Sequence, residues 1–330
     1  MPNGVSIWCG AQALEEVLFT YGEIFDDRTY TRMSVGIQDG DTVWDVGANV
    51  GLASIFFELE ADTPDALDIY AFEPIPYNRE ALERNLSHHC PRALVLGYAL
   101  GAKNEDGAVV TFYPRMPGNS TLKPQEKERL QGEWMKRPGT GAPARESVLN
   151  GRSSSESRKG FFEDAEQVSC DVRTVSWAMS KLEVNKIDLL KVDVEGAELD
   201  VLDGVRQEDW PKIKQVVVEV HPVGDRIARA CALLRAQGFD VTAQALALDG
   251  TPLSPIAPSQ QQPLPCATGE TFSIMSSKST IKDRSNADLR REASVEASDH
   301  RNSRDRYSDG YNVAADGVVY IIYAKRCYYH

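Results

Sequence analysis

Asp45, Gly47, Asn49 and Gly51 occupy alternate positions of VWDVGANVGLAS (residues 43–54), where an apolar run gives way to residues able to open a helix. A strand that passes through a glycine-rich turn into a helix brings backbone close to a bound nucleotide-like ligand, because glycine lacks a Cβ and tolerates positive φ. Asn49 stands where dinucleotide binders place the middle glycine of GxGxxG, and no GK[ST] follows, as a phosphate-cradling loop requires. Asparagine accepts a left-handed backbone, so the turn survives the exchange. Asp45 lies at the base of the turn, and no Lys or Arg occurs between Asp41 and Arg79. A loop this acidic suits a cationic or zwitterionic ligand better than a pyrophosphate. S-adenosylmethionine, with a sulfonium and an ammonium, fits that description.

Three further apolar runs end in groups that can do chemistry. Glu73 closes IYAFEP, about 20 residues beyond the glycine turn, where an acid can accept both hydroxyls of a ribose. Pro74 fixes the exit from that strand; a surface acid at a strand end is the competing reading. In LLKVDVEGAELDVL, Asp193 and Glu195 lie two apart. If the chain is still extended there, they face the same way at the carboxyl edge of the sheet, where ligands bind in open α/β folds. Glu198 falls in the first turn of the next helix, where the dipole stabilises a negative charge, so capping explains it as well as function does. In VVVEVHP, Glu219 and His221 share a side. Imidazole is the side chain best poised to take a proton near neutral pH. His221 is therefore the leading general-base candidate, Asp193 the second, and Glu195 the group that orients the base or a hydroxyl. A purely structural histidine is the alternative. Asp193, Glu195 and Glu219 could offer oxygens to Mg²⁺, but such an ion usually takes one or two carboxylates, and no metal site is assigned.

The elements that must position these groups alternate. Strands are expected at Thr42 to Val46, Leu67 to Phe72, Ala93 to Leu100, Gln167 to Val172, Ile187 to Val192 and Gln215 to Val220, with helices at Val50 to Glu60, Tyr77 to His88 and Asp225 to Gln237. That pattern implies an α/β fold, a doubly wound parallel sheet with helices on both faces. Phe239 to Leu246 begins a hairpin partner for Gly317 to Lys325. Residues 1–40 read as an amphipathic helical lead-in packing against the sheet edge, and 41–246 plus 317–330 as the main domain. Arg115 to Glu166, rich in Pro, Gly, Ser and charge, interrupts it as a flexible insertion or lid, with one helix at Gln125 to Lys136. Residues 249–316 carry few large apolar side chains and read as a disordered insertion between the last two strands.

Composition narrows the partners. A formal net charge of -13 argues against nucleic acid, whose phosphates are met by clustered Lys and Arg. The six cysteines show no CxxC spacing, which fits a reduced, cytoplasmic setting without structural zinc. No apolar run approaches the ~20 residues of a membrane helix. A small-molecule acceptor is the expected partner; oligomeric state is not legible.

In order, VWDVGANVGLAS, AFEP, YALG, LLKVDVEGAELDVLDGV and VVVEVHP resemble the FkbM family of S-adenosylmethionine-dependent methyltransferases, within the class I Rossmann-like fold. The likeness runs from about Asp41 to Gly238, and GNSTL at Gly118 to Leu122 is similar to the family's post-hairpin segment. KVDVEGAE is its most specific part. The resemblance implies a seven-stranded sheet with an antiparallel last strand and O-methylation of a hydroxyl on a sugar, polyketide or other specialised metabolite. It implies that Asp45, Gly47, Asn49 and Gly51 line the methionine part of the cofactor, that Glu73 holds the ribose and that Ala99 lies beside the adenine; Asp193, besides its candidacy as base, is also a cofactor-binding candidate. A nicotinamide-dependent oxidoreductase, sharing fold and ribose acid, and a non-catalytic scaffold with a vestigial pocket are the rival readings.

Overall fold

The computed structural model describes residues 1–135, 162, 164–247 and 318–326. Helix α1 (Leu14–Tyr21) precedes strand β1 (Thr42–Val46), helix α2 (Leu52–Glu60), strand β2 (Asp68–Phe72), helix α3 (Pro76–His89) and the short strands β3 (Leu94–Leu96) and β4 (Ala99–Leu100). Strand β5 (Glu105–Phe112) and helix α4 (Pro124–Met135) follow, then β6 (Glu166–Arg173), α5 (Val175–Lys181) and β7 (Ile187–Val192). The order closes with α6 (Glu198–Asp203), β8 (Ile213–Val220), α7 (Arg226–Ala236), β9 (Phe239–Ala247) and β10 (Val318–Arg326).

Seven strands form one sheet in the order β3-β2-β1-β7-β8-β10-β9. Its pairs are parallel except for β10, which runs antiparallel to both β8 and β9. The central strands are apolar on both faces because helices cover both, and every residue of β7 is buried. Alternate residues feed two cores. Trp44, Leu190, Val192 and Val218 pack with Leu202 and Leu234 on one face; Val43, Leu189 and Val217 pack with Phe56 and Phe57 on the other. Strand order reverses at β1, which pairs with β2 on one side and β7 on the other. The carboxyl ends of β1, β2, β7 and β8 therefore open a crevice at the topological switch point.

Three expectations need correction. The strand expected at Ala93 to Leu100 is two strands: β3 stays in the main sheet and β4 leaves it for a three-stranded sheet, β4-β6-β5. The break falls at Gly97, where a Cβ would lie 2.6 Å from the Arg79 guanidinium. Residues 167–172 likewise belong to β6 of that small sheet rather than to the main one. Only Cys170 and Val172 of β6 are buried, a one-sided pattern that suits an antiparallel pairing and not a doubly covered strand. Finally, the N-terminal segment lies across a face of the main sheet, not against its edge. Val17, Tyr21, Ile24 and Tyr30 join the core that holds Phe57, Leu189 and Tyr323, and the Tyr323 hydroxyl donates to the Thr29 carbonyl at 2.6 Å. A π-helical turn at Gly22–Asp26 extends α1 and turns Ile24 inward.

No helix among the described residues is long and apolar enough to cross a membrane. Cys9, Cys90, Cys170 and Cys231 are free thiols. The serine-rich tract at 151–160 and the insertion expected at 249–316 lie outside the described residues, whereas α4 falls where a helix was expected.

Candidate active site

The glycine turn is built by backbone. Gly47, Asn49 and Gly51 all have positive φ, at 80°, 48° and 94°, and the Gly47 and Ala48 amides donate to the Phe72 carbonyl. A Cβ on Gly47 would sit 1.8 Å from the carbonyl oxygen of Asp193. No side chain fits there, so the turn and the end of β7 meet backbone against backbone. Glu73 follows β2 and reaches the same turn: its carboxylate accepts the Asn49 amide at 3.0 Å and the Ile75 amide at 2.9 Å. Burial lifts the Glu73 pKa to about 7 against the opposing pull of those amides. The Asn49 side-chain oxygen beside it is buried without a donor. Ala99 is buried in β4, in the apolar cluster that contains Ile75, and so lies on the Glu73 side of the crevice.

Asp45 is wholly buried beneath the turn. It accepts from the Ser54 hydroxyl at 2.7 Å and pairs with the Lys191 ammonium at 2.9 Å. Lys191, the penultimate residue of β7, also donates to the Gly47 carbonyl at 2.9 Å and lies 3.9 Å from Asp193. Burial would strip its proton, but Asp45 and then Asp193 outweigh that and hold its pKa above the ordinary value. The absence of cations from residues 42–78 thus does not leave the turn acidic. The neighbouring strand supplies one from within, and Asp45 braces the turn instead of facing the crevice.

Beyond Val192 the chain is not extended, since Glu195 has φ 53°. Asp193 and Glu195 consequently diverge, contrary to the expectation for a continuing strand. Asp193 accepts from the Tyr30 hydroxyl at 2.7 Å. Burial raises its pKa first, with Glu195 adding and Lys191 opposing. Glu195 turns toward His221: its Oε2 lies 3.3 Å from His221 Nε2 and 2.5 Å from Lys127 Nζ, while its backbone carbonyl accepts from the Thr121 hydroxyl at 2.6 Å. Burial works to raise Glu195, but Lys127 and then His221 prevail and hold it below the usual range. For His221, burial works downward, yet the Glu195 carboxylate and a contact with Glu198 hold it above 6.5. Glu198 is wholly buried and accepts the Gly196 amide at 2.6 Å, so it braces the loop before α6 and also faces His221, with Oε1 3.9 Å from Nδ1.

Glu219 does not join His221. Burial, then Asp193 and Glu23, push its pKa well above the ordinary carboxylate value. Of the three carboxylates weighed as magnesium ligands, Asp193 is bonded to Tyr30 and Glu195 to Lys127. Among the described residues no group of three His, Cys, Asp or Glu is placed to hold a metal ion.

The structure thus gathers His221, Glu195 and Asp193 at one edge and Gly47, Asn49, Gly51 and Glu73 beside them. Sequence reasoning missed four contributors. Lys191 carried a signal, a lone cation in a buried apolar run. Lys127 sits on the helix expected in the insertion, but nothing in its spacing marked its target. Tyr30 looked like one more apolar residue. Glu16, buried on α1, accepts the Gly118 amide and the Asn119 side chain at 3.1 Å, and burial lifts its pKa to about 7. Gly118 packs so closely that a Cβ would lie 3.0 Å from both Glu16 and the Asn49 side chain. GNSTL therefore closes over the glycine turn.

A seven-stranded sheet with an antiparallel last strand and a glycine turn after β1 is the class I methyltransferase fold. The chain belongs to the FkbM methyltransferase family: residues 45–241 match the methyltransferase FkbM domain. It is 34% identical over 249 residues to the 31-O-demethyl-FK506 methyltransferase FkbM of Streptomyces tacrolimicus, an alignment covering 74% of this chain and 89% of that one. Methyltransferase sdnD of Sordaria araneosa is 35% identical over 69% of this chain and 83% of its own length. Methyltransferase 1 of Beauveria bassiana is 32% identical, with coverages of 74% and 89%.

Proposed function

We propose that this protein is an S-adenosylmethionine-dependent O-methyltransferase acting on a hydroxyl of a small molecule. The observation that carries this reading is the meeting of His221 with Glu195, a proton acceptor beside a carboxylate, at the sheet edge that also holds the Asn49 and Glu73 cradle. The cradle suits the cofactor. Asn49 presents a buried oxygen in need of a donor, Glu73 an acceptor carboxylate fixed by two amides, and the turn is glycine where backbone must come close. Gly47, Asn49, Gly51 and Glu73 would hold it, Ala99 would flank the adenine, and Asp45 would act through Lys191 by bracing the turn.

When bound, S-adenosylmethionine supplies a methyl group on a sulfonium, an electrophile that needs no further activation. The chain's own work is alignment, exclusion of water and removal of one proton. Alignment is the larger share, since holding two reactants in register can supply ~7–11 kcal/mol. His221 Nε2 takes the proton of the acceptor hydroxyl, and Glu195 stabilises the imidazolium that results. Asp193 is the second candidate base, oriented by Tyr30. Transfer to oxygen also agrees with the Streptomyces tacrolimicus relative, which is named for an O-demethylated acceptor. The net charge of -13 favours a small acceptor over nucleic acid, and the free thiols suit the cytoplasm. In this reading residues 41–246 with 317–330 make up the methyltransferase domain, and the segment at 115–166 is the source of acceptor specificity.

Calorimetry with S-adenosylhomocysteine tests the cradle. The wild type gives a heat of binding, and Glu73→Gln weakens the affinity about ten- to hundredfold, the worth of a lost charged hydrogen bond. The new amide N–H₂ would also face a backbone donor. Binding of NADH in place of S-adenosylhomocysteine would reverse the assignment.

A further inference from the structure

Helix α4 belongs to the segment with the least readable pattern, yet its first turn is pinned to the catalytic edge from three directions. Lys123, just before it, pairs with Asp200 of α6 at 2.7 Å. Glu126 accepts from Arg226 at the start of α7 at 2.6 Å. Lys127, 7% exposed, sends its ammonium inward to Glu195. Burying a lysine so far is costly without a partner. The partner is the oxygen that His221 also faces: Lys127 Nζ and His221 Nε2 lie 2.5 Å and 3.3 Å from the same Oε2 of Glu195.

We propose that Lys127 is a positioning residue for the reaction: it occupies the carboxylate oxygen that His221 would otherwise hold, and so leaves the imidazole Nε2 available to take the acceptor's proton. The proposal rests on the reading of His221 as base. Two cations sharing one oxygen repel each other, so the ammonium disfavours the imidazolium. Three charged groups act on His221: Glu195 in the loop after β7, Glu198 of α6 and Lys127 of α4, whereas Glu219, two residues back on β8, does not join it. Burial disfavours the proton, the carboxylates Glu195 and Glu198 favour it, and Lys127 is the charged group that opposes it. Without Lys127, Glu195 would bind the imidazolium unshared and the ring would hold its proton to higher pH.

The test is Lys127→Met and Lys127→Arg in the full chain, read by NMR titration of the His221 ring, by S-adenosylhomocysteine calorimetry and by the pH profile of methyl transfer. Lys127→Met is expected to move the ring's titration midpoint up by about one pH unit and to carry the acid limb of the rate profile with it. Turnover is then lost at neutral pH and recovered at alkaline pH, while cofactor binding is retained. Lys127→Arg, which keeps the charge, returns both most of the way. A merely structural lysine would instead lower the rate evenly across pH. Lys127→Gln serves where Met is not tolerated. An unmoved ring midpoint in a folded variant that binds S-adenosylhomocysteine overturns the proposal. If the midpoint moves and the rate profile does not, Lys127 does govern His221, but His221 is not the base.

Discussion

Replacing Lys191 by Met is expected to lower the stability of the protein by about 3–5 kcal/mol, because it strands the buried Asp45 carboxylate without its cation. In a domain of this size that corresponds to a fall in Tm of roughly 10 °C. The size follows from the geometry: Asp45 and Lys191 are both essentially inaccessible to water, so neither charge can be rehydrated when the other is removed. Lys191 also holds the Gly47 carbonyl, so the damage should reach the cofactor turn. The double variant Asp45→Asn with Lys191→Met removes both charges and should recover much of the loss, since a buried pair is worth little against neutral groups of similar volume. Thermal unfolding of the two variants decides the matter. A single variant that melts with the wild type would show that this pair does not brace the turn.

His221→Ala is expected to cost about 10²–10⁴ in turnover, the usual contribution of a general base, with S-adenosylhomocysteine affinity unchanged. The pH dependence has a definite sign. Burial lowers the His221 pKa, but Glu195 overcomes it and the value stands above 6.5. A base must be neutral to act, so turnover should climb as pH rises through that raised value. Stability runs the other way. The imidazolium's attraction to Glu195 contributes fully below pH 6.5 and fades as pH passes the folded-state value. The most active pH therefore differs from the pH at which this site is most stable. If His221→Ala turns over normally while Asp193→Asn is inactive, the proton goes to Asp193, as the second reading allows.

The parallel strands were legible because burial on both faces leaves unbroken apolar runs. Thr42–Val46 and Ile187–Val192 fall where the pattern places them. Asn49 could be assigned a left-handed backbone because few residues tolerate one, and it has φ 48°. What the pattern could not carry was sheet membership and side-chain direction. VSCDV in β6 alternates, and alternation reveals one covered face without saying which sheet provides it. The divergence of Asp193 from Glu195 depends on a single left-handed residue that is neither glycine nor asparagine, a conformation sequence gives no reason to expect. Tyr30, Lys127 and Glu16 reach the site from far along the chain, and their partners are set by packing, not by local spacing.

The course of the N-terminal segment bears on how the protein can be dissected. The repeating strand pattern begins at Thr42, and a truncation after Gly40 would look harmless by that criterion. It would take Tyr30 away from Asp193 and Glu16 from the loop that closes on Asn49. It would also lay bare Phe57, Leu189, Val217 and Tyr323, which share a core with Val17 and Tyr21, and a greasy face of that extent invites aggregation. An autonomous catalytic unit in this chain thus reaches back at least to Glu16.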